Sequence, residues 1–129
     1  MNKILVEISV GELLDKISIL EIKKEKIKDS EKLKFINDEY NVLKEQLNNN
    51  VKSDKKLDDF FKSLKEINSK LWIIEDDKRM CEKNSDFGEK FIKLSRDVHF
   101  LNDDRAKIKL EMNNHSGSKI KEIKEYTSY

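Results

Sequence analysis

Proline is absent from this 129-residue chain, glycine occurs three times and cysteine once. Without proline nothing in the sequence breaks a long helix, and with so little glycine few left-handed turns are available. The lone Cys81 has no partner for an internal disulfide, which points to a reducing, cytoplasmic setting. No run approaches the ~20 apolar residues needed to cross a bilayer, so no membrane span is expected. The N-terminal apolar run is interrupted at Glu7 and lacks a small-residue cleavage site, so it is not read as a signal peptide. An excess of one charge is missing too: 27 basic side chains face 26 acidic ones, for a net charge of +1. That balance removes the electrostatic footprint of a general nucleic-acid binder. Alanine occurs once, at Ala106, among many Lys, Asn and Ile residues, as an AT-rich coding bias would produce.

What remains is a chain in which 41% of residues are charged, a content that helices carry on their outer faces. The spacing of the apolar residues predicts an all-α protein, an antiparallel four-helix bundle forming one domain over residues 1–129. Residues 1–9 read as an extended lead-in, because Lys3-Ile4-Leu5-Val6-Glu7-Ile8 is short and β-branched. Ser9-Val10-Gly11-Glu12 matches a capping box, starting a helix over 10–28. Its apolar residues Leu13, Leu14, Ile17, Ile19, Leu20, Ile22 and Ile27 spread beyond one stripe, so it needs partners on two sides. Ser30 is the expected cap of a second helix over 31–48. Asp54 opens a third over 54–83, with Leu57, Phe60, Phe61, Leu64, Ile67, Leu71, Ile74 and Cys81 on one face. Asp86-Phe87-Gly88-Glu89 repeats the cap pattern before a fourth helix over 87–113. There Phe91, Leu94, Val98, Leu101, Arg105, Ile108 and Met112 alternate at three and four in the manner of a coiled coil. Gly117 supplies the residue that most readily takes positive φ past its end. The tail, 118–129, is compatible with either a short helix or a ribbon with the lead-in.

Arg105 occupies an apolar position of its stripe, and a buried guanidinium needs a partner. Two readings follow: an ion pair that fixes helix register, or an anion pocket, for which arginine's planar fork is suited. Trp72, Glu75, Asp76 and Arg79 lie on neighbouring turns of the third helix, and Asn102-Asp103-Asp104-Arg105 adds polar groups on the fourth. If the two helices are antiparallel neighbours, these clusters can meet. Glu-x-x-His pairs are missing, since Arg96 and Met112 precede His99 and His115 by three, so no di-iron site is expected. Zinc sites, Gly-rich phosphate loops and nucleophile motifs are likewise not found, and no resident cofactor or metal is expected. Glu12-Leu13-Leu14-Asp15 is half of a magnesium motif of helical pyrophosphohydrolases, without the Glu-Glu-x-x-Glu half.

Ser9-Val10-Gly11-Glu12-Leu13-Leu14-Asp15-Lys16-Ile17-Ser18-Ile19-Leu20-Glu21-Ile22-Lys23, with Leu71-Trp72-Ile73-Ile74-Glu75-Asp76, Asp86-Phe87-Gly88 and Asn102-Asp103-Asp104-Arg105-Ala106-Lys107-Ile108-Lys109, resembles a family of small bacterial proteins known only as a domain of unknown function. The resemblance spans nearly the whole chain. Asn68 through Arg79 is also similar to a second uncharacterised helical family. The resemblance implies no activity, but it implies proximity to surface-glycan genes. It also implies a set of positions, Glu12, Asp15, Lys16, Glu21 and Lys23, then Glu75, Asp76 and Arg79, then Asn102, Asp103 and Arg105. Ser18 and the Lys-rich tail depart from it.

The favoured expectation is a binding or assembly module, a homodimer with a protein partner and exposed apolar patches on helix 1 or 2, in which Arg105→Met is tolerated. The alternative is an enzyme or sensor for an anionic small molecule such as a nucleotide or nucleotide sugar. In that case Arg79 and Arg105 clamp phosphate, Glu75, Asp76 and Asp103 hold Mg²⁺ or act as base, and Trp72 stacks on a ring.

Overall fold

A computed structural model describes residues 2–129; residue 1, part of the expected lead-in, lies outside them. Four helices follow one another: α1 over Val10–Lys26, α2 over Ser30–Asn50, α3 over Lys55–Lys83 and α4 over Glu89–Ser116. No strand occurs among the described residues, and the expected all-α bundle is what the chain forms. α3 and α4 make a long antiparallel hairpin, α1 packs against all three other helices, and α2 lies along α1.

The helix ends show which local rules operate. Ser9 Oγ accepts from the Glu12 backbone N–H at 3.0 Å, half of the expected capping box. The reciprocal half is missing because the Glu12 carboxylate is taken by Lys109. The second helix is capped one residue earlier than expected, by Asp29, which accepts from Lys32 N–H at 3.0 Å, and Ser30 is its first residue. Asp54 caps α3 by accepting from Leu57 N–H at 2.8 Å. At the tip of the hairpin the Asp86 pattern does not cap α4: Gly88 is the N-cap residue, without a side-chain bond. The reason lies in the end of α3, where Ser85 takes φ 53° and Asp86 N–H donates back to Cys81 C=O at 2.8 Å. This turn closes α3 and leaves Asp86 too far ahead of the helix. Gly117, at φ 66°, ends α4 in the same way, three residues later than the sequence reading placed it, with Ser118 N–H on Asn113 C=O at 2.9 Å.

α1 is sunk into the other three helices. Leu13, Leu14, Ile17, Leu20 and Ile22 are all buried on it, each such side chain contributing roughly 1.5–3 kcal/mol relative to exposure. Its two-sided demand for partners is thus met within the chain. Leu14 joins Leu57, Leu64 and Met112 in the central cluster, flanked by Leu47, Val51, Phe60 and Phe61. α2 has no fully buried residue and leaves Phe35 and Val42 exposed.

The tail forms neither of its two expected structures. It runs back along α4 instead, held by Lys121 on Asn114 and Glu122 on Lys109, with the Tyr129 hydroxyl donating to Asp103. Two aliphatic residues, Ile120 and Ile123, are too few to sustain a helix in so short a segment. Residues 2–8 form neither helix nor strand, and Ile4, Leu5 and Val6 are exposed.

Candidate functional site

α1 meets the hairpin through a buried polar cluster centred on Asp15, only 2% exposed. Asp15 lies one helical turn after Glu12, and Arg105, Lys109 and Asn113 follow at intervals of four on α4, so each set shares one face of its helix. The two faces meet. Arg105 donates from Nε to Asp15 Oδ1 at 3.0 Å and from Nη2 to Oδ2 at 2.5 Å, a two-pronged pairing that lysine cannot make. Asn68, on α3, donates to Asp15 Oδ1 at 2.9 Å and to Ser18 Oγ at 2.8 Å. Ser18 Oγ in turn donates to the Asp15 carbonyl at 2.7 Å. Three helices are tied at one carboxylate.

Lys109 extends the cluster. Its Nζ is 2.8 Å from Glu12 Oε2, 3.1 Å from Glu122 Oε2 and 3.8 Å from Asp15 Oδ2. Lys16 stands 3.7 Å from the other Glu12 oxygen, and Arg105 Nη1 reaches Asn102 Oδ1 at 3.5 Å. Just above, Gly11 N–H donates to Asn113 Oδ1 at 2.7 Å, letting the start of α1 sit directly on α4. Burial on its own would raise the Asp15 carboxyl, but the bonds from Arg105 and Asn68, with the charges of Arg105 and Lys109, hold it below the usual range. Burial on its own would lower the Lys109 ammonium, yet Glu12, Glu122 and Asp15 together hold it above its ordinary value. Every ionised group here is answered by one of opposite sign, as burial requires.

Of the sequence-derived candidates, the structure brings together Glu12, Asp15, Lys16, Asn102 and Arg105. Glu21 belongs elsewhere: with Glu25 it binds Lys65, at 3.1 and 2.8 Å, and it accepts from Tyr40 OH at 3.5 Å. Asp103 is engaged by Tyr129. Glu75, Asp76 and Arg79 are exposed and Trp72 half-buried on the far part of α3. α3 and α4 are indeed antiparallel neighbours, but the two clusters do not meet, because the register that sets Lys83 beside Glu89 brings residues 72–79 level with 93–100. Asn102 to Arg105 lie nearer to α1, about half a turn past the level of Trp72 at the least and about three turns past that of Arg79 at the most. The anion clamp of Arg79 and Arg105 is therefore not formed, and the Arg105 fork is occupied by Asp15.

Sequence reasoning missed Ser18, Asn68, Lys109, Asn113 and Glu122. The recurrence of polar residues at four-residue steps, Arg105, Lys109 and Asn113, was the available signal. Asn68 and Ser18 carried none, since a single Asn or Ser on a helix is ordinary.

Among the described residues, no helix is long and apolar enough to cross a membrane. Residues 4–129 match the model of a family described as "Family of unknown function (DUF6165)". No curated protein and no solved structure matches the chain.

Proposed function

The chain belongs to the DUF6165 family, and we propose that this protein is a binding or assembly module, not an enzyme. The observation that carries this reading is the occupation of Arg105. The arginine best placed to receive an anion spends its fork on Asp15, and Asp15 has Asn68 as a further partner. Groups arranged in this way lock helices together and offer a substrate little. The charged residues outside the cluster, Glu75, Asp76 and Arg79, lie exposed on α3, where they suit partner choice. The resemblance alone supports the pathway part of the proposal, an accessory role in cell-surface glycan metabolism in the bacterial cytoplasm.

A thermal-shift screen of the purified protein against nucleotides, nucleotide sugars and phosphorylated metabolites, with and without Mg²⁺, tests it. A module of this kind gives a flat response. A ligand at a hundred times its dissociation constant adds about 2.7 kcal/mol and raises the melting temperature visibly. Such a rise, lost in Arg79→Ala, restores the enzyme or sensor reading.

A further inference from the structure

The hairpin has a second face that α1 and α2 leave open, with the Tyr129 ring of the tail set against Phe100 at 5.4 Å between centroids. Ile73 follows Asn68 by five residues and Phe100 precedes Arg105 by five, which turns both about 140° away from the side that receives α1. There Ile73, Ile74, Phe100 and Leu101 line a shallow apolar groove of about 410 Å³, with Lys70 and Asp97 at its rim. Ile73 is 52% and Phe100 40% exposed. The groove lies at the middle of two polar stripes. On α3, Lys70, Ile73, Asp77 and Met80 are spaced three, four and three; on α4, Lys93, Asp97, Phe100 and Asp104 are spaced four, three and four.

These stripes are self-complementary. Lys70 and Asp77 are equidistant from the point between Ile73 and Ile74. Lys93 and Asp104 are equidistant from the point between Val98 and His99. In the register that sets Lys83 beside Glu89, those two points lie side by side. One two-fold axis through them, perpendicular to the helices, therefore carries Lys70 to a second chain's Asp77 and Lys93 to its Asp104 at once. We infer that a second copy of this chain docks antiparallel on this face, centred on Ile73 and Phe100. This rests on the assembly reading and names its partner. Overlap from one hairpin tip to the other is about 40 Å long and two helices, or about 20 Å, wide. The area is on the order of 800 Å² per partner, the size of a standard stable interface, with an apolar centre and a charged rim.

Sedimentation equilibrium on the full chain tests the inference, together with Lys70→Glu, Asp77→Lys and their combination. Wild type is expected to be a dimer. Each single reversal sets like charges face to face and weakens self-association roughly tenfold or more, and the double reversal, which restores opposite charges, recovers it. Ile73→Cys is expected to cross-link two chains under mild oxidation, whereas Phe35→Cys on α2 is not; the native Cys81 is buried and does not compete. A chain that stays monomeric overturns the inference. So does a dimer that ignores both reversals or cross-links through Phe35→Cys, and that result leaves the assembly reading standing with its contact elsewhere. A ligand-induced rise in the thermal-shift screen would fell the assembly reading itself.

Discussion

A β-carbon on Gly11 would stand 2.6 Å from the carbonyl oxygen of Lys109 and 2.9 Å from Asn113 Oδ1. The first of these neighbours is helix backbone, which cannot step aside as a side-chain tip can. Gly11 is thus required by the closeness of α1 to α4 and not by its own dihedral angles. Gly11→Ala is expected to push the helices apart, break the Gly11–Asn113 bond and destabilise the fold by about 1–3 kcal/mol. Urea unfolding measures this. An unchanged midpoint would mean that α1 does not seat on α4 as described.

Arg105→Met is no longer expected to be neutral, because the partner is now known. Removing the guanidinium leaves Asp15 buried without its two-pronged partner, with Asn68 and the Lys109 ammonium at 3.8 Å still beside it, and loss of one member of a buried pair costs about 3–5 kcal/mol. Asp15→Leu combined with Arg105→Met removes both charges and should recover most of that loss. Melting temperatures of the three variants decide the matter, and a double variant no more stable than Arg105→Met would show that packing, not charge, holds the site.

The same cluster sets how stability varies with pH. Asp15 has a lowered carboxyl in the folded chain. Its contribution is full above the unfolded carboxylate value near 4, and it is lost as pH falls through the lower folded value. Lys109 is raised. Its contribution is full below the unfolded ammonium value near 10.4 and fades as pH climbs through the higher folded value. Denaturant midpoints followed from pH 2 to 6 should therefore fall on the acid side, and Asp15→Asn should flatten that limb while lowering the plateau.

The tail is held more lightly. Lys109 bonds to Glu122, which is half exposed and held below its ordinary range first by that bond. Glu122→Gln should change global stability by less than about 1 kcal/mol while raising the exchange rate of tail amides. A loss approaching that of Arg105→Met would place the tail among the elements on which the core depends.

The fold was legible to the extent that its helices carry simple periods. Leu57, Leu64 and Leu71 announce α3 at seven-residue intervals, and Gly117 ends α4 where a left-handed residue is needed. The caps were less legible because several acceptors compete. Asp29 and Ser30 are both good caps, and which one serves depends on how the short link from α1 leaves Ile27. The site was half legible. Arg105 stands out because it interrupts an apolar stripe, but its partner Asp15 sits one turn after a capping box, where an acidic residue needs no special reason. The expected meeting of Trp72, Glu75, Asp76 and Arg79 with Asn102 to Arg105 failed on register, which follows from the length of the tip between Lys83 and Glu89 and not from any residue within the clusters. Of the apolar exposure expected on helix 1 or 2, α2 carries Phe35 and Val42 outward, while α1 carries none because its apolar faces are used inside the chain.

α2 rests along α1 and reaches neither α3 nor α4 at the level of the backbone. The hierarchy this creates runs one way. α2 can detach while α1 stays seated on Asn68, Arg105 and Lys109, but α1 cannot leave its seat without taking away what α2 rests on. Amide hydrogens of α2 should then exchange earliest among the helices, those of α1 later, and those of the hairpin last, a sequence of openings dictated by which helix leans on which.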